Sequence, residues 1–148
     1  MKLTRAGEYA IRGVIGLALH YREDRTVLVS QVAAEQEVSA AFLAKIFQQL
    51  VKAGLMVSNR GARGGFALAR DPKEITIKEV LEAIEGPTAL NRCLLHEDRC
   101  KRSDGCYMAR VWREAQKGLL DVLEKTRISD VVENLRAEKE AGEQTPPQ

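Results

Sequence analysis

The residues best suited to chemistry are three cysteines that lie close together in one polar stretch of the chain. Cys93, Cys100 and Cys106 are separated by six and then five residues, and they are the only cysteines of the 148-residue sequence. Three thiols cannot all pair as disulfides within one chain. Because thiolates bind zinc and iron–sulfur clusters, this grouping predicts a metal site in a loop.

Zinc is the alternative to a cluster at this site. His96 lies between the first two cysteines and could complete a Cys3His set. Structural zinc sites more often contain two cysteines about two to four residues apart, and the sequence has no such pair. Nearby positive charge would stabilise thiolates and offset a negatively charged cluster. The basic residues in and beside the loop are Arg92, Arg99, Lys101 and Arg102.

Composition and charge restrict the class of protein. Hydrophobic residues make up 45% of the chain and charged residues 30%, which is typical of a soluble globular protein. No apolar run approaches the roughly 18 residues of a membrane span, and no export signal is recognisable. We therefore expect a cytoplasmic protein with reduced thiols. Residues 1–70 contain ten Lys and Arg against five Asp and Glu, which favours a polyanionic partner such as nucleic acid.

The elements of the N-terminal half have the pattern of a winged helix-turn-helix. A first helix begins after Thr4, and its residues Gly13 and Gly16 allow close approach of another element. Ser30 and Ser39 are the predicted N-caps of two short helices joined by a tight turn. Two short strands, 55–58 and 66–68, then flank a basic, glycine-rich tip. The sequence therefore predicts a mainly α fold with a small β-hairpin.

The second helix of the pair is the predicted recognition helix, which would lie in the major groove of DNA. Its alanines would allow close approach and contact thymine methyl groups, while Gln48 can bind adenine and Lys45 guanine or a phosphate. The arginines of the hairpin tip would reach the minor groove or the backbone. The predicted DNA-contacting residues are Ser39, Ala41, Ala44, Lys45, Gln48, Arg60 and Arg63.

An enzyme is not expected. The sequence contains no Cys-x-x-Cys motif, and its two histidines, His20 and His96, offer little for a nucleophile–base pair.

Three segments of the sequence resemble the Rrf2 family of bacterial winged-helix transcription regulators, in particular its cluster-binding IscR, NsrR and RirA types. They are the opening "MKLTRAGEYAIRGVIGLAL", the block "VSAAFLAKIFQQLVKAGLMVSNRGARGGFALAR" and the three-cysteine loop. The resemblance implies a homodimer that binds double-stranded, palindromic operator DNA. It also implies that Cys93, Cys100 and Cys106 bind an iron–sulfur cluster, either [4Fe-4S] or [2Fe-2S].

The resemblance leaves the fourth ligand open. Some members have a histidine three residues after the last cysteine, where this chain has Ala109. Others take an acidic ligand from the first helix of the partner subunit, and the matching position here is Glu8. Glu8 and His96 are therefore both candidate metal ligands, beside water, Asp98 or a small thiol.

The resulting hypothesis is a repressor whose cluster senses iron, redox state or nitric oxide and controls operator affinity. The alternative is a zinc-bound or cluster-free winged-helix regulator that senses a small metabolite. The predicted divisions are a DNA-binding domain (1–86), a cysteine-rich loop (87–106), a dimerisation helix with a closing helix (107–136) and a disordered tail (137–148). The apolar stripe of the dimerisation helix is predicted at Met108, Val111, Ala115, Leu119 and Val122 or Leu123.

Overall fold

The elements follow the predicted order, with helices interrupted by one hairpin. The structure is a computed structural model that describes residues 2–22, 25–62, 64–95 and 105–143. Its helices are α1 (Arg5–Leu19), α2 (Val29–Glu35), α3 (Ala40–Lys52), α4 (Ile77–Glu85), α5 (Arg92–Leu95), α6 (Tyr107–Lys125) and α7 (Ile128–Glu143), with a 3₁₀ turn at Pro72–Glu74. The strands β1 (Met56–Asn59) and β2 (Gly65–Leu68) pair antiparallel. The mainly α fold with a small hairpin is therefore confirmed.

Helix α1 is the central element of the N-terminal half, and two glycines allow its neighbours to come close. Thr4 caps its start by accepting a hydrogen bond from the Gly7 N–H at 3.1 Å. A Cβ atom at Gly13 would collide with the Phe47 ring of α3, and one at Gly16 would lie 2.6 Å from Val32 of α2. The predicted close approach at this helix is therefore confirmed.

Helices α2 and α3 form the helix-turn-helix. The turn between them is tight, with Glu37 in the left-handed region at φ 54°. Ser39 caps α3 as predicted, accepting from the Phe42 N–H at 3.4 Å. The predicted cap at Ser30 is wrong, because α2 already begins after Leu28, whose side chain cannot accept a hydrogen bond. Pairing of the preceding residue, Val27, with the sheet orients the chain for this earlier start.

The wing is a hairpin joined to a third extended segment. Strand pairing runs from Met56 opposite Leu68 to Asn59 opposite Gly65. Val27 and Phe66 exchange two backbone hydrogen bonds of 2.8 Å, which attach the wing to the start of α2. Gly65 has φ +145°, and a Cβ there would lie 2.6 Å from the Val27 carbonyl oxygen. Only glycine is compatible with this junction.

The hydrophobic core extends beyond the predicted DNA-binding domain. It is formed mainly by α1, α3, α4 and the hairpin, but Ile128 and Val132 of α7 are also buried in it. The chain returns to the core after α6 through two backbone hydrogen bonds, Ile77 N–H to Thr126 O at 3.1 Å and Ile128 N–H to Ile75 O at 2.9 Å. The predicted boundary at residue 86 therefore separates residues that share one core.

Helix α7 is longer than the sequence pattern indicated. It runs from Ile128 to Glu143, so the predicted disorder is wrong for residues 137–143. The segment is rich in Ala, Glu and Lys, whose helix propensity is high enough to prolong a helix without burial. Residues 144–148 lie outside the described residues. In the described ranges, every helix is too short or too polar to span a bilayer.

Candidate nucleic-acid interface and cysteine site

Helix α3 presents one small, polar face to solvent. Ala41, Lys45 and Gln48 are exposed, Ser39 is exposed at the N-cap, and Ala44 is half-buried beside them. The helix carries Lys52 in its last turn and contains no acidic residue. This face can approach a polyanion closely and offers hydrogen-bond donors at its centre.

The opposite face of α3 is held rigidly by the core. Leu43, Ile46, Phe47 and Leu50 are 0–2% exposed. The Phe47 ring meets Phe66 of the wing edge-on, with ring centres 5.0 Å apart. Because the same side chain contacts both α1 and the wing, the recognition helix and the wing keep a fixed relation to each other.

The tip of the wing is a tight, glycine-rich turn with an exposed arginine. Gly61 adopts φ +103°, and the Gly64 N–H donates to the Gly61 carbonyl at 2.9 Å. Arg60 lies exposed at the start of this turn. The second predicted wing arginine, Arg63, lies outside the described residues.

A polar cluster behind the helix-turn-helix was missed by the sequence reasoning. His20 Nε2 lies 2.7 Å from Glu35 Oε2, and Gln31 donates to Glu35 Oε1 at 3.0 Å. The hydrogen bonds with His20 and then Gln31 hold the pKa of Glu35 below its usual range. Glu35 therefore stays ionised and joins the end of α1 to α2. The two partners are 15 positions apart, so no local pattern reveals the pair.

Two of the three cysteines lie on helices that pack against each other. Cys93 is in α5, and Cys106 is the N-cap of α6; both thiols are free and half-buried. The side chain of Cys106 makes no capping hydrogen bond, so its sulfur is available to a ligand. Cys100 and His96 lie outside the described residues.

The described residues alone do not form a complete metal site. No three His, Cys, Asp or Glu side chains among them converge on a point that could hold an ion. Glu8 is exposed in the first turn of α1, where its Oε1 lies 3.3 Å from Arg12 Nη2, and it does not join Cys93 and Cys106 in such a group. The donor set fits a cluster in its chemistry, because both thiols are free and one of them, Cys106, lines an open cavity of about 500 Å³ at the start of α6.

Helix α6 exposes most of its apolar side chains. None of its nineteen residues, all of which the structure describes, is fully buried. Met108 and Val111 are each 45% exposed and Val122 is 63% exposed. Trp112, which the predicted stripe omitted, is 37% exposed on the same side. Leu123 instead packs against the core of its own chain.

Helix-turn-helix, hairpin and long C-terminal helix together define a winged-helix transcription regulator. A family model named Rrf2, described as an iron-dependent transcriptional regulator, matches residues 3–134. The chain therefore belongs to the Rrf2 family, as the resemblance implied, and is not an enzyme.

Similar protein sequences and similar solved structures also belong to transcription regulators. The regulator IscR of Photorhabdus laumondii is 31% identical over 144 residues, covering 97% of this chain and 87% of the relative. Among solved structures, CymR of B. subtilis, described as the global cysteine regulator, has a TM-score of 0.75 at 26% identity and covers 90% of this chain and 98% of its own. IscR of T. potens has a TM-score of 0.71 at 26% identity and covers 100% and 94%. This chain is a transcriptional regulator of the Rrf2 and IscR type.

Proposed function

We propose that this regulator is a homodimeric, cluster-sensing repressor that binds palindromic operator DNA. The observation that carries the proposal is the pair of free thiols, Cys93 and Cys106, on the two helices that flank the polar cysteine loop. Cys100 would supply the third thiolate from the loop between them. When bound, an iron–sulfur cluster supplies a group whose charge and integrity respond to iron supply, redox state or nitric oxide.

The fourth ligand is proposed to be Glu8 of the partner subunit. Glu8 is exposed and its carboxylate contacts only the equally accessible Arg12 among the contacts of the described residues, so it can be reached by another chain. An oxygen ligand binds iron less firmly than a thiolate does, which suits an exchangeable fourth ligand of the cluster. His96 of the loop is the alternative fourth ligand.

The dimer is proposed to form through α6. Its exposed apolar face follows the helical period over Met108, Val111, Ala115 and Val122, with Trp112 at one edge. An uncovered apolar stripe of this length on a regulator indicates a protein–protein contact. Self-association of the same face gives a two-fold dimer, and its symmetry would match that of a palindromic operator.

DNA binding is proposed to use the exposed face of α3 in the major groove and the wing tip beside it. Ala41, Lys45 and Gln48 would face base edges, Ser39 would lie near a phosphate, and Ala44 would border the contact. Arg60, with Arg63 beside it, would approach the minor groove or the backbone.

Metal analysis of anaerobically purified full-length protein tests the proposed cofactor. We expect iron and acid-labile sulfide in the wild type, and loss of both in Cys93→Ser, Cys100→Ser and Cys106→Ser. Glu8→Gln should weaken iron retention more than His96→Gln if the partner supplies the ligand, and Glu133→Gln, at an exposed position of α7, is the matched control. A colourless protein with stoichiometric zinc and no sulfide would show the cluster proposal to be wrong.

A small-metabolite sensor is the second candidate, and the cavity beside Cys106 favours it. That cavity is lined by Gly105, Cys106, Tyr107, Arg110, Val111 and Glu114, which combine a thiol with opposite charges. A small amino acid is the class of ligand that such groups would recognise, and the fold resembles that of a protein described as a global cysteine regulator. Calorimetric titration of metal-free protein with cysteine, and with serine as the control, distinguishes this candidate from the first.

A further inference from the structure

We infer that Glu85 is a positioning residue that joins the first turn of α1 to the root of the cysteine loop, and so transmits changes in the loop to the recognition helix. This inference rests on the proposed function, because it concerns how the loop controls operator binding. Glu85 is the last residue of α4 and directly precedes Gly86, where the chain turns away at φ 79° towards Cys93.

Glu85 contacts the start of α1 through two hydrogen bonds, both donated by Thr4 to one carboxylate oxygen. Glu85 Oε1 lies 2.9 Å from the Thr4 N–H nitrogen and 2.7 Å from the Thr4 hydroxyl oxygen. The same hydroxyl accepts the Gly7 N–H at 3.1 Å, so the N-cap of α1 and the contact with Glu85 share one group. The carboxylate also lies at the positive end of the α1 dipole, which favours its negative charge. We name this contact the Thr4–Glu85 clasp.

Gly7 provides the space that the clasp needs. A Cβ atom at Gly7 would collide with Glu85 Oε1. Gly7 is also buried, so the carboxylate packs directly over the backbone of the first turn of α1. The position of Glu85 is thus determined by both hydrogen bonding and steric fit. A shift of the end of α4 would therefore act directly on the start of α1.

The root of the cysteine loop is held at the same end of α4. Glu82, one turn before Glu85, accepts the Thr88 N–H at 3.2 Å. Gln116 of α6 accepts the Leu90 N–H at 3.1 Å. The stretch from Gly86 to Leu90 is therefore tied to α4 and α6 at once. The final turn of α4 holds this stretch on one side and α1 on the other.

Helix α1 connects the clasp to the recognition helix. Five residues after Thr4, the Tyr9 ring meets Phe42 in the first turn of α3 edge-on, with ring centres 5.5 Å apart. Gly13, one turn further along, packs against Phe47. A displacement of the first turn of α1 would therefore reach the first turn of α3 through tightly packed groups, which transmit small shifts.

The test compares operator affinity of iron-loaded and iron-stripped full-length protein in Glu85 variants. Glu85→Ala removes the acceptor, whereas Glu85→Gln retains an oxygen that can accept both Thr4 donors. Coupling between two sites typically changes affinity about 5- to 150-fold, and we expect Glu85→Ala to reduce that ratio by roughly fivefold or more. Glu85→Gln should preserve most of it. Glu124→Ala, an exposed carboxylate on α6, is the control.

A purely structural role predicts a different result. Glu85→Ala would then lower the thermal midpoint of both forms equally and leave the loaded-to-stripped affinity ratio unchanged. Such a result, with iron content and dimerisation retained, would overturn the inference.

Amide hydrogen exchange separates failure of the clasp from failure of the proposed function. If wild-type affinity does not depend on iron, the cluster proposal fails, but exchange in the stripped protein still tests the clasp. We expect operator binding to change exchange at residues 86–90 in the wild type, because coupling is reciprocal. In Glu85→Ala this response should disappear. A response that persists in Glu85→Ala would overturn the inference.

Discussion

Helices α3 and α6 both have a strong apolar stripe. Other elements of the same chain cover the stripe of α3, whereas most of the stripe of α6 stays exposed. The α3 residues Leu43, Phe47 and Leu50 are each 0% exposed against α1 and the hairpin. On α6, by contrast, Val111 remains 45% and Val122 63% exposed. Both helices are amphipathic, so their sequence patterns are alike. The difference lies in what surrounds them.

This difference separates two tasks within one chain. The helix proposed to face DNA, α3, is held by a closed core and presents small side chains to solvent. The helix beside the cysteine loop leaves an apolar face that only another surface can cover, and in the proposed dimer a second copy supplies that surface. Regulation in this account therefore acts on the relation between subunits and on the position of the recognition helix, and it does not require the winged helix to unfold.

The largest effect on stability is expected from removing a large side chain from the closed core. Phe47→Ala should lower the free energy of unfolding by about 3–5 kcal/mol, because it removes a fully buried ring between α1, α3 and the wing. Phe42→Ala is the matched control on the same helix. Since Phe42 is 38% exposed, we expect only about 1 kcal/mol there, mostly from its edge contact with Tyr9. Urea unfolding at one fixed protein concentration measures both; equal losses would contradict the closed core.

The next effect concerns the uncovered face of α6. Val111→Glu should weaken self-association by roughly 100-fold or more, because a two-fold interface would bury two unpaired carboxylates. Lys117→Glu, on the polar side of the same helix, should leave association nearly unchanged. Sedimentation equilibrium gives the dissociation constants. A wild-type monomer at micromolar concentration, or equal effects of both substitutions, would refute the dimer.

These two stripes also show how far the sequence alone could lead. Periodicity identified both helices, and the local patterns at Thr4 and Ser39 predicted the starts of two helices correctly. Periodicity could not say which stripe the chain itself covers. That depends on contacts between distant elements, and these put Leu123 in the core and left Val122 outside.

Long-range polar contacts, and segments without a clear hydrophobic period, could not be predicted from the sequence. The Thr4–Glu85 clasp joins residues 81 positions apart, and neither residue type is unusual where it stands. The extension of α7 past residue 137 was missed because its helix formers bury nothing and leave no periodic pattern. For the candidate site, Cys93 lies in α5 and Cys106 is the N-cap of α6, and their role as cluster ligands stays a prediction. Cys100, His96 and Arg63 lie outside the described residues, and their roles stay predictions.

A smaller effect, on operator affinity, is expected at the wing, which packs against the closed core of α3. Arg60→Ala should weaken operator binding by about tenfold and reduce the slope of log affinity against log salt by about 1, because one phosphate is no longer neutralised. Arg136→Ala on α7 is a matched exposed control. Fluorescence anisotropy across a salt series measures affinity and slope together. If both remained unchanged in Arg60→Ala, the wing would have no part in DNA binding.

The smallest effect is a pH-dependent one at the start of α4. Burial raises the pKa of Glu79, but hydrogen bonds from the Thr76 backbone, the Arg70 side chain and the Thr76 hydroxyl outweigh it, so the pKa lies below its ordinary 4.5. A lowered folded-state pKa stabilises the fold above pH 4.5, and this stabilisation is lost as the pH falls through the folded value. Glu79 is 40% exposed, so screening limits the contribution to about 0.5 kcal/mol.

Glu79→Gln should therefore be less stable than the wild type at neutral pH, with a difference that shrinks as the medium becomes acidic. Denaturant unfolding between neutral pH and about pH 3 measures this trend. The double variant with Arg70→Gln should add little to Glu79→Gln, because the partner charge is already gone. A difference that grows towards acid would show that the carboxylate is not stabilised in the folded protein.

The most direct test of the account is the operator affinity of one anaerobic preparation, measured before and after removal of its iron. The operator is the sequence selected in vitro by the full-length protein. We predict that the two forms differ about 5- to 150-fold in affinity while both remain dimers and winged helices, since the cysteine loop acts on the arrangement of the subunits and of their recognition helices. Equal affinities of the two forms, with iron and sulfide demonstrated in the first, would contradict the claim that this loop controls DNA binding.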